Sequence, residues 1–565
     1  MKFKSIDDEC KALKKAGDLP EWYISEGWQL FKEKYLYDAR SVREQFERIA
    51  RHLSSYMPTK ELQEEYNTKF FSILWKGHFS ASTPIQANTG TKRGSNVACS
   101  GNVIDDSIEG FYDAYKEIAL LTKNGFGTSS DLSNIRPRGA KISAGGKANG
   151  VVPVFKRICE DMLDITQGTA RRGQWAGYLD ANHPDVMELS NFIRAEGQGP
   201  SFNVGWNITD EFIDKLNQGD NDTLKTFQHI LKTKMLTGKG YFYFLDKINR
   251  ARPQAYLNNN LKVYAGNLCT EITLFADSRH TYTCVLGSIN LLHWDKIKDS
   301  DDIFIATVFL HCVALDFINY SKNKPGLQKA RRFTKKGMAL GLGVCGFHSY
   351  LQSQMIAFGD LQSFYKNQQI FTKMQSESKR ASRWLATIFG EPEWCKGTGL
   401  ANTHLMTVAP TLSTALLIGG VSQGIEPVFA NAYAQDTPAG AVNRVNPALM
   451  KIMKQRNVYN DVEIDKIISD NGSVMSITWL SDEEKEVFRT AFEINQENII
   501  NLAAQRQVWI DQAQSINLFF ASDVKEEYIA YIHELAFKNE YIFSLYYIRS
   551  TDGSVQIAEC KSCSG

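Results

Sequence analysis

The chain has 565 residues, 43% hydrophobic and 22% charged, an ordinary globular balance with ample material for a core. Its 64 Lys and Arg offset 63 Asp and Glu, which leaves no electrostatic footprint for nucleic acid or an anionic membrane; any phosphate recognition must be local. The start, MKFKSIDDEC, carries acids where an export signal has its apolar core, so a cytoplasmic protein is expected.

Residues 1–75 read as a helical region. Ser41 and Glu44 form a capping-box pattern ahead of Val42, Phe46, Ile49, Ala50 and Leu53 at helical spacing. From about residue 76, short apolar runs alternate with amphipathic helices and Gly-rich turns, which predicts an α/β fold with parallel strands. A helix is expected after Asp106, carrying Ile108, Phe111, Tyr115, Ile118 and Ala119 and ending at Asn124-Gly125. A Gly-rich basic stretch with Arg136, Arg138, Lys141 and Lys147 follows, and then a loop, QGTARRGQWAG, from Gln167. The apolar stretch Ile303 to Ile318, interrupted by His311 and Asp316, is too short for a bilayer and predicts a buried helix. The last residues, SVQIAECKSCSG, are small and polar and read as a mobile tail.

Ten cysteines in a large chain without an export signal argue against disulfide stapling; most should be small buried hydrophobes. Cys560-Lys-Ser-Cys563 suits an exposed dithiol shuttle, idle thiols, or half a zinc site whose other ligands the tail does not supply. In Asn267-Leu-Cys269-Thr-Glu271, an extended backbone would turn amide, thiol and carboxylate to one face; a turn around a buried cysteine is the plainer alternative. Cys99 and Cys284, each taken alone, read as core cysteines. The pair Tyr546-Tyr547 either fills core or passes an electron and a proton along neighbouring phenols. Thr411, Ser413 and Thr414 ahead of an apolar run either cap a helix or offer hydroxyls and N–H groups to a phosphate.

Taken in order, STPIQ near 83, NVACSGN near 99, QGTARRG near 168, NLCTEI at 267, CVLGSINL at 284, GLGVCGFH near 344, APTLST to GIEP near 410–427, LYYIRS at 545 and the tail dithiol resemble the large (catalytic) subunits of class I ribonucleotide reductases. The resemblance runs from about Thr83 to the C-terminus. It implies a ten-stranded α/β barrel over residues 76–548, an effector-binding and dimerisation region at about 100–175, and a flexible redox tail at 549–565. It implies that Cys269 is the thiyl radical, Glu271 the base for the 3′-hydroxyl and Asn267 its hydrogen-bonding partner. Cys99 and Cys284 become the electron-supplying pair, Cys560 and Cys563 the shuttle to thioredoxin or glutaredoxin, and Tyr546 and Tyr547 the radical route from a partner subunit. Substrate diphosphate falls to Thr83, Thr411, Ser413 and Thr414. The family often has a hydroxyl residue before the first redox cysteine; here Ala98 leaves that contact to the backbone. A deoxynucleoside triphosphate or ATP effector falls to Asp106, Ser107, Arg136 (or Arg138), Gln167 and Arg171 of a homodimer. No metal or cofactor motif is present, so a metal-radical cofactor is expected on the separate small subunit. The start of an ATP-binding cone is absent, so any overall activity switch is expected on that partner. An adenosylcobalamin-dependent class II reductase shares the cysteines but needs no tyrosine pair between subunits. A non-catalytic nucleotide- or zinc-binding protein would leave NLCTE, Cys99 and Cys284 without a purpose.

Overall fold

The computed structural model describes residues 5–167, 171–196, 202–437 and 440–551. The first seventy-five residues supply the helices Ile6–Ala16, Ser25–Leu30, Val42–Ser54 and Lys60–Trp75. Ser41 caps the third by accepting the Glu44 N–H at 3.3 Å. The Glu44 carboxylate takes the Arg40 N–H at 2.8 Å instead of that of Ser41, so the expected capping box is half formed.

The main sheet comprises β1 (Phe79–Ala81), β2 (Cys99–Val103), β3 (Thr128–Asp131), β4 (Trp175–Asp180), β5 (Asn203–Ile208), β6 (Tyr241–Phe244), β7 (Tyr282–Asn290), β8 (Leu340–Cys345) and β9 (Ser544–Leu545). Strands β2 to β6 are parallel in sequence order, with the helices Ile108–Lys123, Val151–Asp164, Val186–Ala195 and Asn221–Thr237 in the crossovers. Parallel neighbours require such crossovers, which explains the alternation seen in the sequence. β7 runs antiparallel to β2 and parallel to β8, while β6 meets β9 antiparallel.

Two extended segments bridge from β8 to β9. Residues 405–408 lie along β8, with Leu342 N–H donating to Leu405 O at 2.8 Å. Residues 513–520 lie along the first segment, with Ser515 N–H donating to Val408 O at 2.9 Å. They then pair with the C-terminal strand, where Tyr546 N–H donates to Ile516 O at 2.8 Å and Leu518 is in parallel register with Ile548. The ring is thus closed by ten staves: β2 to β6, residues 544–550, 513–520 and 405–408, β8 and β7. Two parallel halves of five staves meet antiparallel at two seams, β2/β7 and β6/β9. Short β1 is an addition at the far end of β7. The ten-stranded α/β barrel implied by the resemblance is the fold of the chain.

Side chains alternate across each stave. On β6, Tyr241 and Tyr243 point into the barrel and Phe242 and Phe244 into the helical layer; on β7, Tyr282 and Cys284 point in and Val285 and Ile289 out. The interior cluster is rich in phenols (Tyr178, Tyr241, Tyr243, Tyr256, Tyr282 and Tyr546) and contains Cys269 and Cys284, with Cys99 and Tyr547 at its margin. The outer cluster includes the apolar helix Asp302–Tyr320. Contrary to the expectation that it is too short, this helix is long and apolar enough to cross a membrane by length and composition, but it lies mostly buried, as expected, against the staves and neighbouring helices.

Candidate active site

After β6, the chain leaves regular structure at residue 259 and enters the barrel as a loop. Gly266 permits the entry. A Cβ there would lie 2.7 Å from the Tyr243 ring and 2.8 Å from the Tyr178 hydroxyl. The Tyr178 hydroxyl holds the loop by donating to Asn267 O at 2.5 Å.

The motif Asn267–Glu271 is not extended. Residues 268–270 make a turn, closed by Thr270 N–H donating to Asn267 O at 3.2 Å, with Thr270 at φ +70°. A β-branched residue is strained there, and Ser544 Oγ secures it by donating to Thr270 Oγ1 at 3.0 Å. Side chains therefore do not alternate along the motif, and each is placed by its own contacts. Asn267 Oδ1 accepts the Ile272 N–H at 3.2 Å. Ser515 Oγ donates to Cys269 O at 2.6 Å and lies 3.3 Å from Glu271 Oε2, while Thr407 Oγ1 donates to Glu271 O at 2.7 Å. All three motif side chains are buried: Asn267, Cys269 and Glu271 are 2%, 8% and 1% exposed. Such exclusion of water suits a reactive sulfur.

The hydroxyl of Tyr546 reaches Cys269 Sγ at 3.5 Å. The Tyr546 and Tyr547 rings lie 4.1 Å apart between centroids. Tyr547 is half-buried, with the Arg549 guanidinium 5.5 Å above its ring. Buried Tyr241 completes the group. Its ring is 4.8 Å from that of Tyr546, and its hydroxyl meets those of Tyr547 at 3.0 Å and the Asn203 amide oxygen at 3.2 Å. Burial raises the Tyr241 phenol well above its ordinary pKa, so its hydrogen stays in place at neutral pH.

At the other seam, Cys99 and Cys284 are directly opposed in the antiparallel register of β2 and β7. Opposed residues in such a ladder have Cα atoms about 4.5–5.5 Å apart, within the disulfide range of about 4.4–6.8 Å. Cys284 is fully buried and Cys99 half-buried. Burial pushes the Cys284 thiol well up, and the Gln512 amide opposes this by donating to its Sγ at 3.6 Å.

The residues expected at a diphosphate come from two adjacent segments. Thr83 begins a helix just past β1, its Oγ1 3.0 Å from the Tyr35 hydroxyl. The short helix Leu412–Leu417 packs against β1. Thr411 precedes it and accepts the Gly424 N–H at 2.7 Å, Ser413 is half-buried, and Thr414 Oγ1 donates to Thr411 O at 3.3 Å. In the expected effector region the cap is Ser107, not Asp106: its Oγ accepts the Gly110 N–H at 2.9 Å. Asp106 instead pairs with Arg136 Nε at 2.6 Å, and Arg138 is engaged by Glu188 at 2.7 and 2.5 Å. Gln167 and Arg171 face each other across a two-stranded turn; their side chains, like the whole tail with Cys560 and Cys563, lie outside the described residues.

Tyr241, Gln512 and Ser515 were not singled out from the sequence. Alternation along GYFYF carries the signal for Tyr241. Ser515 sits in the stave 513–520 and Gln512 just before it, in DQAQSINLFF, a run that follows no recognisable chemical motif.

A closed barrel with a strained internal cysteine loop, a tyrosine hydroxyl at its sulfur and a facing cysteine pair has the make-up of an oxidoreductase. The comparisons specify which one. The ribonucleotide reductase barrel-domain model matches residues 97–228, 222–397 and 393–548. The class Id ribonucleotide reductase alpha subunit of Actinobacillus ureae superposes with a TM-score of 0.86 at 35% identity, over 96% of this chain and 99% of that one. The ribonucleoside-diphosphate reductase large subunit of Invertebrate iridescent virus 3 is 28% identical, over 93% of each chain. A Frog virus 3 (isolate Goorha) protein assigned as such a large subunit is 31% identical, over 89% of this chain and 93% of its own. The chain belongs to the ribonucleotide reductase family, as a large, catalytic subunit.

Proposed function

We propose that the chain reduces ribonucleoside diphosphates to deoxyribonucleoside diphosphates in the cytoplasm, using a thiyl radical on Cys269. The contact between the Tyr546 hydroxyl and Cys269 Sγ carries this reading, because it gives the sulfur a buried route to half-buried Tyr547. The similarity to ribonucleoside-diphosphate reductase large subunits supports a diphosphate substrate. A metal cofactor on a separate small subunit would supply the radical. Tyr547, Tyr546 and Cys269 pass it on, each giving up one electron and one proton.

Cys269 then takes the hydrogen from the 3′ carbon, while Glu271 receives the 3′-hydroxyl proton. The Asn267 amide oxygen is occupied within the loop, which leaves its NH2 group as donor to the sugar. Cys99 and Cys284 give two hydrogens. The 2′ C–O bond breaks, water leaves, a C–H bond forms and the two sulfurs join. Cys269 returns the hydrogen to the 3′ carbon and is again a radical, Glu271 returns the proton to the 3′ oxygen, and Cys560 and Cys563 reduce the disulfide before thioredoxin or glutaredoxin reduces them.

Thr83, Thr411, Ser413 and Thr414 bind the diphosphate. Asp106, Ser107 and Arg136 bind a deoxynucleoside triphosphate or ATP, with Gln167 and Arg171 relaying its identity to the substrate base. The engagement of Arg138 by Glu188 favours Arg136. Exposed Ile108, Tyr112 and Leu163, on two helices packed together beside this site, favour a second copy of the chain there. The tyrosine route favours a class I mechanism over an adenosylcobalamin-dependent one.

The test is reduction of cytidine diphosphate by the chain with its small subunit. Cys269→Ser is expected to abolish turnover and leave effector binding intact. Activity with adenosylcobalamin alone, or undiminished turnover by the variant, overturns the reading.

A further inference from the structure

The facing cysteines differ in access: Cys99 is half-buried and Cys284 is enclosed. A reductant entering from solvent therefore meets the Cys99 sulfur first. Its thiolate bonds to that sulfur, the Cys99–Cys284 bond breaks, and the electron pair stays on Cys284. Its second thiol then displaces Cys99, leaving two cysteine thiols and an oxidised reductant. The leaving sulfur thus passes through an anion in a site shielded from water, where a charge without a donor is costly.

Gln512 supplies a donor, and its orientation is fixed. Its Oε1 accepts the Thr273 N–H at 3.4 Å, so its Nε2 faces the other way. One Nε2 hydrogen goes to Leu340 O at 2.9 Å and the other to Cys284 Sγ at 3.6 Å. The backbone is pinned as well, by Gln507 Nε2 on Gln512 O at 2.6 Å and Gln512 N–H on Met406 O at 3.2 Å. Across the sulfur stands Gly341, where a Cβ would lie 2.9 Å from Sγ; the missing side chain gives the sulfur its room. The other titratable groups facing Cys284 raise its pKa: Cys99 on β2, Glu271 on the loop and Asp511 beside Gln512.

We propose that Gln512 stabilises the Cys284 thiolate through which the Cys99–Cys284 disulfide is reduced. This rests on the reading of Cys99 and Cys284 as the electron-supplying pair. Gln512→Met keeps the length and removes the donor. Gln512→Glu keeps the shape and the acceptor for Thr273, and also removes the donor.

The measurement uses the full-length chain with Cys560 and Cys563 changed to Ser, so that dithiothreitol alone is the reductant. The disulfide is formed by one turnover with the small subunit, and its reduction is followed by alkylation and peptide mass. Both variants should be reduced about tenfold more slowly at neutral pH, with the deficit shrinking as pH falls and solvent acid protonates the leaving Cys284 sulfur in place of the amide's hydrogen bond. Packing alone would lower the melting temperature without changing that pH profile. Rates within twofold of the parent in a folded variant overturn the proposal, and so does failure of both variants to fold, which would assign Gln512 to folding alone. If the parent forms no Cys99–Cys284 disulfide after one turnover, the underlying reading fails instead.

Discussion

The two antiparallel seams of the barrel hold their working residues by different means. At β2/β7, Cys99 and Cys284 are paired positions of a regular ladder, so backbone register alone sets them face to face. At β6/β9, Tyr546 and Tyr547 lie just beyond the paired residues Ser544 and Leu545. There, pairing with residues 513–520 ties their backbone on one side, and across the seam side chains hold them: Tyr241 against both rings, Cys269 at one hydroxyl and Lys234 at the Tyr546 carbonyl. Each seam has an enclosed inner member and a half-buried outer one, so each leads from the buried loop toward solvent. The redox seam should therefore keep its geometry through changes around it, even where Gln512 alters its rate, whereas the radical seam should shift its geometry on single side-chain substitutions.

The largest contrast is in where the reaction stops. Tyr546→Phe should abolish turnover before any substrate chemistry, leaving the small subunit's radical undiminished when substrate and effector are added. Cys284→Ser should also abolish turnover, but after Cys269 has acted, so the radical should be consumed on adding substrate. Electron paramagnetic resonance of the mixed subunits reads both. Equal radical loss in the two variants would break the comparison.

The barrel was legible because hydrophobic alternation and crossover helices leave local marks, and the order of motifs specified their closure. Cys269, Cys99 and Cys284 were legible as types in a given order. Their arrangement was not. An extended NLCTE was a reasonable expectation from spacing, but Tyr178, Ser515, Thr407 and Ser544, distant in sequence, force the turn at Thr270. Asp106 has the residue type of a cap, yet Ser107 takes that role because the ion pair with Arg136 holds Asp106 outside the first turn. Tyr241 and Gln512 take their roles only beside partners 306 and 228 residues away in the chain, a pairing that no local pattern encodes.

A smaller effect is expected at Tyr241. Tyr241→Phe keeps the ring contacts and removes the hydroxyl that meets Tyr547 at 3.0 Å. A neutral hydrogen bond contributes about 1 kcal/mol, so kcat should fall about fivefold where radical transfer limits the rate. Reduction of the Cys99–Cys284 disulfide by dithiothreitol should not change. A fall in that rate as well would show that the seams are coupled.

A last effect, on stability and not on turnover, is expected at Lys234. This lysine on helix Asn221–Thr237 is fully buried and donates to Gly240 O at 3.0 Å, Leu545 O at 3.5 Å and Tyr546 O. Burial lowers its pKa to about 7. The unfolded chain holds that proton up to about 10.4. Between pH 7 and 10 the unfolded state therefore binds more protons than the folded one, and this group makes stability rise with pH; below pH 7 both states are protonated and its contribution is flat. Lys234→Met removes the group. From pH 7 to 9 the parent should gain roughly 2 kcal/mol relative to the variant, read from urea midpoints at the two pH values. Parallel pH profiles would mean that the ammonium is better solvated by its three carbonyls than burial alone implies. In that case Lys234 holds Tyr546 as a permanent cation, and the radical seam would keep its geometry across the whole neutral range.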